Sequence, residues 1–148
     1  MKKLFFVILT IMISTSFLYA KKTEKDYIAD LDSVNNEQVI VEAAKWAKKQ
    51  KSEKAIPGLI ELLSDSRDEV RLNAVIALGY IEDESAAEPL NKVILEDKSS
   101  NVRYAALLSS VRIGSRDSVD TWIKAKDTET EPIILDFLGK MEEKAKNY

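Results

Sequence analysis

Two acid–arginine pairs share one spacing in this chain. Asp65 precedes Arg71 by six residues, and Asp97 precedes Arg103 by six. An Arg guanidinium offers a planar fork of donors that can hold a carboxylate and loop carbonyls together. That is linking chemistry, and the residues for turnover are missing. The 148 residues include no His and no Cys. Thiolate nucleophiles, disulfides, zinc sites built on Cys or His, and His-based proton transfer are therefore excluded. Glu82, Asp83 and Glu84 are consecutive acids, but a calcium loop needs oxygen ligands at loop spacing and a glycine at its turn. They read as a polar loop. No catalytic residue, metal ligand or cofactor is expected.

The elements that must carry these pairs are helices. Val70, Ala74, Ala77, Leu78 and Ile81 lie on one helical face. The register returns at Val102, Ala106, Ser109, Ser110 and Ile113, and earlier at Val39, Ala43, Trp46 and Ala47. A second kind of helix alternates with the first. It is seen in Ala55, Pro57, Leu59, Leu62 and Leu63, then in Ala87, Pro89, Leu90, Val93 and Ile94, and in shorter form at Val119, Trp122, Ile123 and Ala125. Residues 132–141 resemble a further helix of the first kind, with Leu138-Gly139 placed as Leu78-Gly79 is. A repeat of two helices near 31 residues implies a stacked solenoid, in which each hairpin covers its neighbour's apolar face.

Turn and cap signals fall between these helices. Ser66 with Glu69, Ser85 with Glu88, and Thr128 with Glu131 each have capping-box spacing. Pro57, Pro89 and Pro132 fall in expected first turns, where a missing N–H costs nothing.

From Ala55 to Gly114 the chain resembles HEAT repeats, especially the short HEAT-like repeats of the phycobilin lyases. The resemblance is carried by VRLNAVIALGYI at residues 70–81, VRYAALLSSVRI at 102–113, and the two Asp–Arg spacings. It implies an all-α fold, an α-solenoid of about three helical hairpins over 37–148, behind a capping segment at 21–36. It also implies that Asp65, Arg71, Asp97 and Arg103 link neighbouring repeats. Ile40 stands where the first unit would have its Arg, and no equivalent pair follows the third unit. In such stacks the second helices commonly line the binding face, which here would include Glu61, Asn91, Lys92, Thr121 and Lys124.

Several other residues have competing readings. Gly79, inside a helix, is read as a close helix contact, as its recurrence at Gly139 suggests. Trp46 and Trp122 fall on the apolar register and are read as packing residues. Tyr80 and Tyr104 lie off it and are expected to be exposed. Lys45, Lys48, Lys49, Lys51 and Lys54 cluster near a helix end. They are read as a solvated face that also complements the helix C-terminus. Asp26, Asp30 and Asp32 are read as the polar side of a short capping helix.

Residues 1–20 have the layout of a secretory signal peptide. Lys2 and Lys3 precede an apolar run from Leu4 to Ile13, and Ala20 offers a cleavage point. Cleavage there would place the protein in the periplasm or otherwise outside the cytoplasm. Membrane contact is expected only if the segment stays attached. The formal net charge of −3 argues against non-specific nucleic-acid binding. The function expected is a non-catalytic adaptor or scaffold for a protein partner of the cell envelope. A subunit related to the HEAT-like lyases, and a structural module held at the membrane by its N-terminus, are the alternatives.

Overall fold

The structure, a computed structural model, describes residues 22–146. The expected signal peptide lies outside these residues.

Each helix begins and ends where the local chemistry requires it. Helix α1 (Glu24–Ala29) opens on a capping box between Thr23 and Asp26, and α2 (Glu37–Gln50) opens on Asn36, whose side chain accepts from the Val39 N–H. Pro57 sits in the first turn of α3 (Ile56–Glu61), and Pro89 in that of α5 (Ala87–Glu96). Helix α4 (Asp68–Ile81) and helix α6 (Ser100–Ile113) carry the two VR-led strings, α7 (Ser118–Thr128) follows, and Pro132 opens α8 (Pro132–Lys146). Short 3₁₀ turns at Glu53–Ala55 and Leu62–Ser64 flank α3, and another at Glu84–Ala86 leads into α5. No strand occurs among the described residues.

The three capping boxes expected at Ser66, Ser85 and Thr128 do not form. Acids in the loops take the free donors instead. Asp65 Oδ1 accepts from the Arg67 N–H at 2.9 Å, Asp83 Oδ1 from the Ser85 N–H at 2.9 Å, and Glu129 Oε1 from the Thr130 and Glu131 N–H groups at 2.8 and 2.9 Å. A carboxylate makes a stronger bond to an N–H than a neutral hydroxyl does. Thr128 is the last residue of α7, and its hydroxyl reaches back to helix carbonyls.

The helices stack in two layers. Helices α2, α4 and α6 pack side by side in one, and α5, in the other, packs against α6 of the first layer and against α7, its neighbour in its own. Helices α4 and α6 run parallel. Arg71 near the start of α4 pairs with Asp97 just before α6, and Arg112 near the end of α6 approaches Glu82 at the end of α4 at 3.8 Å. The shared core includes Ile40, Leu59, Leu62, Val70, Val75, Leu78, Leu90, Val102 and Leu107, all fully buried. Burying each such side chain favours folding by roughly 1.5–3 kcal/mol.

Gly79 explains the tightest contact in the first layer. A Cβ built there would lie 2.5 Å from Ser109 Cβ and 2.8 Å from Ser109 Cα. Without that Cβ, α6 comes close enough for Ser109 Oγ to donate to the Val75 carbonyl at 3.0 Å. Gly139 does not repeat this role, since nothing lies within 4 Å of its built Cβ. The shared Leu-Gly frame reflects register alone.

The capping segment closes the first unit. Tyr27 of α1 stacks on Trp46 of α2 with ring centroids 4.8 Å apart, and Leu31 is buried in the core. At the other end the interior turns polar. Ser110 stands 32 residues after Leu78, and Thr121 stands 31 after Leu90; both are buried. Trp122 packs against the core and donates from Nε1 to Ser110 Oγ at 2.9 Å.

Candidate functional site

Two features follow from this stacking: a ladder of ion pairs across the loops, and an open groove on the second layer.

The ladder is built one loop out of step with the sequence spacing. Arg71 grips the Asp97 carboxylate through Nε at 2.7 Å and Nη2 at 3.1 Å, while its Nη1 donates to the backbone carbonyl of Asp65 at 2.7 Å. Arg103 repeats this with Glu129, at 2.8 Å from both Nε and Nη2, and with the Asp97 carbonyl at 2.9 Å. Glu129 thus supplies the acid that sequence spacing alone missed. Its position 32 residues beyond Asp97 was the available signal. Arg67 makes up for the missing first Arg. It pairs with Asp65 and donates to the carbonyls of Asn35 and Ser33 at 2.9 and 3.1 Å.

These groups are buried enough to matter electrostatically. The Asp97 and Glu129 side chains are each 5% exposed. The Arg103 guanidinium holds the Glu129 carboxyl down at about 2, with two backbone N–H bonds assisting and burial opposing. The Asp65 carboxyl is also lowered, chiefly by its side-chain bonds to Arg67. The Arg71 guanidinium is raised, chiefly by Asp97. A low carboxyl pKa here marks a charge held in place. Nothing about it supplies a proton donor near neutral pH.

The groove lies between α3 and α5, with a volume of about 390 Å³. Ile60, Leu63, Pro89 and Val93 supply its apolar surface, and Glu88, Lys92 and Glu96 line its edge along α5. One helix further, Val119 and Ile123 of α7 are 42% and 59% exposed. Matching the buried positions of α7 (Ser118, Thr121, Ala125) to those of α5 (Ala87, Leu90, Ile94) puts Val119 and Ile123 in the frame of Glu88 and Lys92.

The five residues expected on this face separate. Glu61, Lys92 and Lys124 are exposed, and Asn91 is half-buried with no partner for its Oδ1 among the described residues. Thr121 faces the interior in the frame of Leu90 and is buried. Its position is a correction to the sequence reading, which placed it on the binding face because second helices of such stacks commonly line that face. The apolar Val119 and Ile123 were missed because their helical spacing resembles a core stripe. Of the tyrosines, Tyr80 is exposed, between the Lys48 ammonium at 5.4 Å and the Arg112 guanidinium at 4.1 Å. Tyr104 is not free. It packs edge-on against Phe137 at 6.0 Å, because α8 covers it.

Helical hairpins stacked in two layers and tied across their loops by arginines define an α-solenoid of short repeats. A family model described as HEAT repeats matches residues 28–109 and, in an overlapping placement, residues 56–136. The chain belongs to the HEAT-repeat family. Members of this family are generally non-catalytic and commonly mediate protein–protein interaction. A comparison with curated proteins found no match.

Proposed function

We propose that this chain is an exported, non-catalytic adaptor that holds a protein partner of the cell envelope on its second helical layer. The observation that carries the reading is the α3–α5 groove together with the exposed Val119 and Ile123 one helix away. Apolar side chains left in water on a rigid face are typical of recognition surfaces. The buried ladder fixes the spacing of the helices that bear them, so a partner meets a preorganised face. Export rests on the sequence of residues 1–20, whose charged start, apolar run and Ala20 suit a cleavable signal.

Each half has its own test. N-terminal sequencing of protein purified from its native cell should find a start near Lys21; an intact Met1 ends the export reading. A photo-cross-linking residue at position 92 should trap a protein of defined mass in the native compartment, whereas one at position 73 on α4 should not. Equal yields from both, or a monomer with no adduct, would end the adaptor reading.

A further inference from the structure

The charges around the groove restrict what can occupy it. Glu88, Lys92 and Glu96 are spaced four residues apart, in one row along α5. Glu61 of α3 occupies the frame of Lys92 one repeat earlier, 31 residues before it. All four are exposed, and none makes an ion pair among the described residues. This sets them apart from Asp97, whose carboxylate at the groove end is already taken by Arg71. At the groove itself two unpaired carboxylates, Glu88 and Glu96, therefore flank a single ammonium beside an apolar floor. On α7 the same row continues as Val119, Ile123 and Asp127, so the apolar surface extends and the acid at its end recurs.

We infer that the α3–α5 groove takes a basic amphipathic segment of a partner protein, with apolar side chains against Ile60, Leu63, Pro89 and Val93 and with Lys or Arg beside Glu88 and Glu96. This rests on the adaptor reading and narrows it to one chemistry of partner. Apolar contact supplies the affinity. The carboxylates supply choice, because an acidic segment would bring like charges together on desolvation, and a neutral one would leave the carboxylates without partners. The groove is too small for a folded domain surface, and it suits a few anchor side chains from a helix or extended segment.

The test is selection from a random 12-residue display library on the purified chain. Enriched peptides should combine two or more apolar residues with flanking Lys or Arg. They should bind about tenfold more weakly to the E88K/E96K double variant. Binding to E42K/E53K, an equal charge change at exposed positions on α2 and the turn after it that do not line the groove, should stay within about twofold. Circular dichroism and thermal melting of both variants show that loss of binding is not loss of fold. Enrichment of neutral or acidic peptides, or of basic ones indifferent to E88K/E96K, overturns the inference while leaving the adaptor reading in place. Failure to enrich any peptide also overturns it. Sedimentation supplies a further arm: a dimer abolished by E88K/E96K would make the occupant a second copy, through its own lysine-rich α2 end, and would overturn it too. If position 92 also traps no protein in the native compartment, the adaptor reading falls with it.

Discussion

Arg71 and Asp97 are 26 residues apart, yet they form a two-bond ion pair at 2.7 and 3.1 Å that joins consecutive repeats. The same guanidinium donates to the Asp65 carbonyl at 2.7 Å, so one side chain spans two inter-helix loops. Lysine has a single ammonium and cannot reproduce that fork. Arg71→Lys should lower stability by about 2 kcal/mol, and Arg71→Ala by about 3–5 kcal/mol, because the alanine leaves a buried carboxylate unpaired. Urea denaturation followed by circular dichroism measures both. Variants within 0.5 kcal/mol of the parent would show the pair to be incidental.

Glu129 makes the ladder sensitive to acid. Its carboxyl falls from about 4.5 to about 2 on folding, chiefly through the Arg103 guanidinium. A depressed carboxyl contributes stability above its unfolded value, and that contribution is lost as pH falls toward the folded value. The window here runs from about pH 4.5 down to about pH 2. The contribution is on the order of 2–3 kcal/mol. Glu129→Gln should therefore be less stable than the parent at pH 7 and nearly equal to it near pH 2. A stability gap that does not narrow with acid would refute the assignment.

The contact at Gly79 should not admit a methyl group. Gly79→Ala places a carbon within 2.8 Å of three Ser109 atoms, one of them the backbone Cα. Overpacking of this kind costs roughly 1–3 kcal/mol, more than the gain from replacing a mid-helix glycine, which is about 1 kcal/mol. Adding Ser109→Gly should restore part of the loss, since it removes the Cβ and Oγ but not the Cα. A stabilised Gly79→Ala protein would mean that α4 and α6 lie further apart.

The ends of the first-layer helices offer a contrasting case. Helices α2, α4 and α6 all end on a left-handed residue, Lys51 at φ 49°, Glu82 at φ 65° and Gly114 at φ 74°. Only the third is glycine, which adopts this conformation without a Cβ penalty. Lys51→Gly should raise stability by about 0.5–1 kcal/mol, and Gly114→Ala should lower it by about 1 kcal/mol. Lys51 gives up only an exposed pair with Glu82 at 3.1 Å, which is worth little. Thermal melting reads both signs, and a destabilised Lys51→Gly would contradict the account.

Polarity in the third unit should be replaceable. Ser118 is fully buried, and its hydroxyl has no partner among the described residues. It occupies the frame of Ala87. Ser118→Ala should gain about 1 kcal/mol by removing a desolvated hydroxyl, and hydrogen exchange in α7 should slow. Destabilisation would reveal a bond to water or to a neighbour.

The all-helical repeat was legible because its cause is local. Apolar spacing from Val70 to Ile81 and its return from Val102 to Ile113 fix helix, face and period together, and Pro57, Pro89 and Pro132 mark where helices start. The residue types of the ladder were legible for the same reason, since Arg71 and Arg103 hold equivalent places in consecutive helices. Tertiary structure alone decided which groups meet. Arg71 reaches the carboxylate of Asp97 and only the carbonyl of Asp65, because stacking brings the following loop alongside and turns the nearer acid toward Arg67. It also decided that Thr121 is inside while Val119 and Ile123 are outside. Sequence period gives the angle of a residue around its own helix. Burial depends on which neighbouring helix covers that angle, and coverage is a property of the whole stack.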